Sequence, residues 1–149
     1  MLIDASAIVA VLNLEAKANE IKSVIDVHRK NGGKIFMIAT SFYEATTGLC
    51  KARTGKLRFS SEELTAACDA VETFVDTLNI EPLVITNDIG KQAVEAVMRF
   101  GKFVSHPAEL NFGDCMVYGA AKQNSLPLLF IGNDFGQTDL KSVLASPGT

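Results

Sequence analysis

The chain has 149 residues, of which 48% are hydrophobic and 21% charged, with a formal net charge of −3. That is the make-up of a single compact domain over residues 1–149; it excludes a disordered chain and argues against a broad basic surface for nucleic acid, without excluding a local one. Apolar runs such as "AIVAVL" and "LPLLFI" are far too short to span a bilayer, and "MLIDASAIVAVL" has no basic n-region and carries Asp4 where a signal peptide would be apolar.

Short apolar runs alternate with helical patterns along the whole length. "LI" before Asp4 reads as a buried strand, and residues 6–30, "SAIVAVLNLEAKANEIKSVIDVHRK", as one helix stopped by Asn31-Gly32-Gly33. "KIFMIAT" (34–40) is a second strand, followed by a helix over 41–55 that Gly55 ends. In the next segment Leu64, Ala67, Val71, Phe74, Val75 and Leu78 recur at the spacing of one helical face. "PLVI" (82–85) reads as a third strand and "NDIGKQAVEAVMRFG" as its following helix. A helix starting near Gly113, a strand "LLFIG" (128–132) and a short closing helix "LKSVLA" (140–145) complete the series. Strands separated by helices require right-handed crossovers, which gives a three-layer α/β/α domain around a parallel sheet.

In such folds ligands bind at the carboxyl ends of the strands. Asp4 ends the first strand, Asp134 follows the last, Glu44 opens the helix after the second strand, and Asp114 opens the helix before the last. Four carboxylates meeting at one edge repel, and a divalent cation offsets that repulsion. Oxygen-only donors select Mg²⁺ or Mn²⁺ over zinc. Each acid also fits a plainer role. Ser41-Phe-Tyr-Glu44 has the capping-box pattern, Asp114 suits the first turn of a helix dipole, and Asp134, like Asn133 beside it, suits a turn. Asp4 is hardest to explain structurally, because a carboxylate ending a central strand is costly to desolvate unless it is paired or ligates metal.

Cys50, Cys68 and Cys115 are odd in number and lack C-x-x-C spacing, so they read as small apolar residues, and His28 and His106 have no ligand-spaced companion. Lys51, Arg53, Lys56 and Arg58 in "CKARTGKLR" form a local basic cluster, with Lys91, Arg99 and Lys102 as a second set. These cations suit either phosphate contacts or helix C-termini. The mean hydropathy of +0.20 is on the apolar side for a soluble monomer and points to a partner subunit.

"MLIDASAIVAVL", Glu44 in "TSFYEATTGL", "HPAELNFGDCMVYGAA" and "LLFIGNDFGQTDL", in that order, resemble the PIN-domain family, and among its members the VapC-type toxins of bacterial toxin–antitoxin pairs. The resemblance covers essentially the whole chain. It implies an endoribonuclease that hydrolyses RNA phosphodiester bonds with metal-activated water, using Mg²⁺ or possibly Mn²⁺. Residue by residue, Asp4, Glu44, Asp114 and Asp134 match the family's acidic quartet, Asp139 matches an accessory acidic position, and Ser6 and Thr138 match polar residues near the metal. It further implies a homodimer and a cognate VapB-like antitoxin whose tail occupies the acidic groove; the cytoplasmic setting with no membrane partner is the expectation from the short apolar runs and the N-terminal pattern above.

Competing readings fit less well. A haloacid-dehalogenase-like phosphatase needs an acid two residues after the first aspartate, where Ser6 stands. "FMIAT" lacks the phosphorylatable aspartate of a receiver domain, and no glycine-rich phosphate loop occurs. The remaining alternative is a PIN-like module that binds RNA or an antitoxin without cutting.

Overall fold

Leu2 and Ile3 are completely buried, which marks the first strand as a central one with helices over both faces. In the computed structural model, which describes residues 1–144, β1 (Leu2–Ile3) lies between β2 (Phe36–Ile38) and β4 (Leu128–Leu129), with β3 (Glu81–Leu83) outside β2. All pairings are parallel. The strands are short, and their alternation feeds two cores. Ile3, Met37 and Leu129 face one side with α1 (Ala5–Leu12), α2 (Ala18–Lys30), α3 (Ala39–Thr54) and α4 (Ser61–Leu78). Leu2, Ile38 and Leu128 face the other, with α5 (Asn87–Phe100) and α6 (Phe112–Gln123). The three-layer α/β/α expectation is met.

Several boundaries differ from the sequence reading: the third strand ends at Leu83 instead of Ile85 and the last at Leu129 instead of Gly132, and three further differences have clear local causes. The single helix expected over 6–30 is two, because Leu14 adopts a left-handed conformation (φ 56°) and closes α1. There the Glu15 N–H donates to the Ala10 carbonyl (2.9 Å) and the Leu14 N–H to that of Val11 (3.3 Å), the two bonds of a Schellman stop. The second strand is shorter than 34–40, since the chain passes directly from Ile38 into α3. Glu44 therefore sits in the second turn of α3 instead of opening it, and Ser41 is a fully buried helical residue, not a cap. Finally, the closing helix "LKSVLA" does not form over Leu140–Leu144. That segment runs beside β4, with the Leu128 N–H bonded to the Lys141 carbonyl and the Val143 N–H to the Leu128 carbonyl, both at 2.9 Å. Pairing satisfies an open sheet edge, which outweighs the helical preference of so short a segment; Ala145 lies outside the described residues.

Candidate active site

Asp4 leaves β1 as the N-cap of α1 and is only 7% exposed. Its Oδ2 accepts from the Ser6 N–H (3.0 Å) and the Ser6 hydroxyl (2.5 Å). The Ser6 oxygen in turn accepts from the Ile131 N–H (3.0 Å), so one hydroxyl ties the exits of β1 and β4 together. Burial raises the pKa of Asp4, the bonds from Ser6 and Ala5 oppose the rise, and the charge of Asp134 adds to it.

Glu44 extends from α3 towards the first turn of α6. It is half-buried, and desolvation followed by the charges of Asp4 and Asp114 pushes its pKa up to about 7. Asp114 is pushed up to about 6, chiefly by desolvation and then by Asp4 and Asp134, against the opposing Asn111 backbone bond and Lys102. These mutual perturbations place Asp4, Glu44, Asp114 and Asp134 in one electrostatic neighbourhood. Asp4, Glu44 and Asp114 line a common cleft of about 600 Å³, while Asp134 is exposed at the start of the turn over Phe135–Gln137.

The plainer roles separate here. Asp114 does cap its helix: its carboxylate accepts from the Asn111 N–H (2.8 Å) while its own N–H donates to the Asn111 side chain (3.1 Å). One carboxylate oxygen serves that cap, and the pKa remains raised in spite of it. For Glu44 the capping box with Ser41 is absent, because α3 begins before Ser41 and has no side-chain cap. Its partial burial therefore has no local structural explanation.

Gly113 carries no signal in the sequence beyond a turn-like Phe-Gly, yet it shapes the site. A Cβ at this buried position would collide with the Glu44 carboxyl group, so the carboxylate occupies the space that glycine leaves against α6. Thr138 and Asp139 are placed elsewhere. The Thr138 hydroxyl donates to the Phe135 carbonyl (2.7 Å) and accepts from the Leu140 N–H (3.3 Å). Asp139 accepts from the hydroxyl of buried Tyr118 (2.7 Å), from Lys122 (3.2 Å) and from Arg99 (3.3 Å). Its partial burial works against ionisation, but Tyr118, Lys122 and Arg99 together hold its carboxyl below the usual range. Both residues anchor the segment that carries Asp134.

Of the first basic cluster, Lys51 lines the cleft, and Arg53 and Arg58 are exposed. Lys56 is engaged with Glu63 (2.6 Å), the acid of the α4 capping box. In the second set Lys91 pairs with Asp88 (3.0 Å) and Arg99 with Asp139, while Lys102 acts on Asp114. Cys50 and Cys115 are buried and Cys68 is half-buried, all three as free thiols.

Among the described residues no three His, Cys, Asp or Glu side chains close into a finished ion cage. The donor set nevertheless suits a hard dication: carboxylate oxygens only, pKa values raised by burial and then by the neighbouring acids, and an open cleft beside them. Mg²⁺ retains several waters and needs only one or two direct carboxylates.

The PIN-domain family model matches residues 1–141. A VapC ribonuclease of Rhizobium meliloti (strain 1021) is 36% identical over 141 residues, covering 93% of this chain and 97% of its own. Ribonuclease VapC28 of Mycobacterium tuberculosis is 33% identical over 97% of this chain and 98% of its own. The crystal structure of Mycobacterium tuberculosis VapC20, described as a sarcin-ricin-loop-cleaving toxin, shares the fold with a TM-score of 0.66 at 17% identity, covering 93% of this chain and 95% of that one. With the family model spanning nearly the whole chain and full-length relatives above 30% identity, the chain belongs to the PIN-domain family, alongside its VapC ribonucleases.

Proposed function

We propose that this protein is a metal-dependent endoribonuclease and the toxin of a VapBC-type toxin–antitoxin pair, acting as one unit over residues 1–149. The observation that carries the reading is that Asp4, Glu44 and Asp114 line one cleft at the carboxyl ends of β1 and β2, where burial first and mutual repulsion second raise their pKa values. The relatives named ribonucleases agree with it. Asp4 and Asp114 would be the direct ligands of a divalent ion, and Glu44 and Asp134 would complete its shell or hold its waters. Mg²⁺, or Mn²⁺ in its place, would supply water activation and charge neutralisation at the scissile phosphate.

The chain's own residues do the positioning. Ser6 locks one oxygen of Asp4, whose residue lines the cleft. Asn111 fixes Asp114 through the cap, and Gly113 lets Glu44 approach α6. Thr138 and Asp139 act on the site indirectly, by holding the segment behind Asp134. Lys51 meets substrate phosphate from the cleft wall, and Arg53 and Arg58 extend that basic rim, with Lys56 shared with Glu63. Basic groups offset the repulsion between an acidic site and an anionic substrate.

A VapB-like antitoxin would inhibit by placing an Arg or Lys among the same carboxylates. A homodimer is supported by exposed Val94, Met98, Phe103 and Phe112 around α5 and α6. The protein works in the cytoplasm and needs no membrane; no helix among the described residues is long and apolar enough to cross one.

The test is incubation of purified protein with an RNA pool, with Mg²⁺ or with chelator, followed by sequencing of the RNA ends. Cleavage should require the metal and disappear in Asp4→Asn. RNA binding without cleavage by the wild-type protein would favour the non-catalytic module instead.

A further inference from the structure

We propose that the α3–α4 connection is one wall of a nucleobase subsite, in which Leu57 and Phe59 hold an unpaired base of the substrate next to the scissile phosphate. This deepens the ribonuclease reading and rests on it.

The cleft that contains the acids does not end with them. It continues along α3 past Thr47 and Lys51 to Leu57 and Phe59. Leu57 is 83% exposed, a large aliphatic side chain standing in solvent at the rim of a polar cleft. Looseness of the loop does not account for that exposure, because the connection is pinned at both ends. Gly55 closes α3 in a left-handed conformation (φ 67°), and the Lys56 N–H donates to the Thr54 hydroxyl (3.2 Å). Lys56 is paired with Glu63, whose carboxylate also accepts from the Ser60 N–H (2.9 Å). Phe59 packs partly against the core beneath α4, which fixes its ring beside the cleft. The apolar wall is thus held in place before any ligand arrives.

The order of groups along the cleft matches the order of groups in a single strand. Acids with a dication suit the phosphate, Lys51 suits a neighbouring phosphate, and Leu57 and Phe59 suit the flat apolar face of a base. Duplex RNA buries its base faces in stacking and cannot present them, so the ligand class is unpaired nucleotide. An apolar side chain of a protein inhibitor could meet the same wall, but Lys51 and the acids together complement a phosphodiester better than they complement a single peptide side chain.

The test compares Asp4→Asn protein with Asp4→Asn/Leu57→Ser for binding of a fluorescent single-stranded hexaribonucleotide; both lack the Asp4 ligand alike, so the pair differs only in the apolar wall. Leu57 is exposed, so its replacement does not threaten folding. Loss of the aliphatic Leu57 face should weaken binding at least about 5-fold, the lower end of the ~1–3 kcal/mol per base that aromatic stacking contributes. Oligonucleotides with an abasic spacer at successive positions should bind the two proteins alike at one position only, the one the wall reads. In the cleaving protein, Leu57→Ser should raise KM more than it lowers kcat and shift the sequenced cleavage ends. Equal affinity of both proteins for every oligonucleotide would overturn the proposal, and so would a Leu57→Ser defect confined to binding of a protein inhibitor. If the wild type failed to cut RNA while the Leu57→Ser binding loss persisted, the base-binding wall would stand as part of an RNA-binding module, and the ribonuclease reading would fall together with the placement beside a scissile phosphate.

Discussion

Asp114 and Asp139 both lean on α6, one at its start and one near its end, and the fold treats them oppositely. Asp139 receives hydrogen bonds from Tyr118, Lys122 and Arg99 and ionises more easily than an ordinary carboxylate. Asp114 is desolvated, has one backbone bond and faces Asp4 and Asp134, and its pKa rises to about 6. A structural acid is surrounded by donors within the chain. An acid reserved for a ligand is left short of them, and the cost of that shortage is carried by the rest of the fold.

The contrast yields predictions that can break it. Asp4→Asn should lower RNA cleavage on the order of 10³-fold, about 4 kcal/mol of barrier, measured by single-turnover kinetics with folding checked by circular dichroism. Unchanged cleavage would remove Asp4 from the site. Gly113→Ala should cost about 10²-fold, since a carboxylate displaced by ~1 Å is enough to lose that much. The same substitution in a Glu44→Ala background should be neutral or stabilising by up to ~1 kcal/mol, because Ala favours helix once the space is empty. An equal penalty in both backgrounds would show that Gly113 serves packing alone.

Asp139→Asn should destabilise the protein by about 1 kcal/mol in urea unfolding, since its carboxylate is partly exposed and Asn can still accept from Tyr118, while lowering cleavage far less than Asp4→Asn does. A smaller effect concerns pH. Glu44 and Asp114 titrate at about 7 and about 6 when folded, above the ordinary carboxylate range of the unfolded chain. The folded state therefore binds protons more tightly, and metal-free protein should gain stability as pH falls from 8 to 5. The gain should be a few °C in Tm, discounted for the partial exposure of both groups. Saturating Mg²⁺ should flatten the profile, whereas a metal-independent profile would show that the ion binds elsewhere.

Much of this was legible in the sequence. Asp4 and Asp134 follow apolar runs that could only be buried strands, so the parallel topology alone carried them to one edge. Glu44 and Asp114 were legible as helix-start acids, although α3 begins earlier than its polar "TS" suggests. Other features depend on contacts distant in the chain. Leu14 stops a helix that local propensity would continue, and Leu140–Leu144 follows the open edge of β4. The importance of Gly113 appears only when Glu44, far away in sequence, is seen to fill the space beside it. Asp139 matched a familiar acidic position, and only the hydrogen bonds from Tyr118 and Lys122 reveal its occupation.

The most direct test is a Mn²⁺ titration followed by electron paramagnetic resonance, on wild-type protein and on Asp4→Asn, without RNA. Saturable binding by the wild type that is lost in Asp4→Asn and kept in Asp139→Asn is the predicted result. Equal binding by wild type and Asp4→Asn would contradict the account.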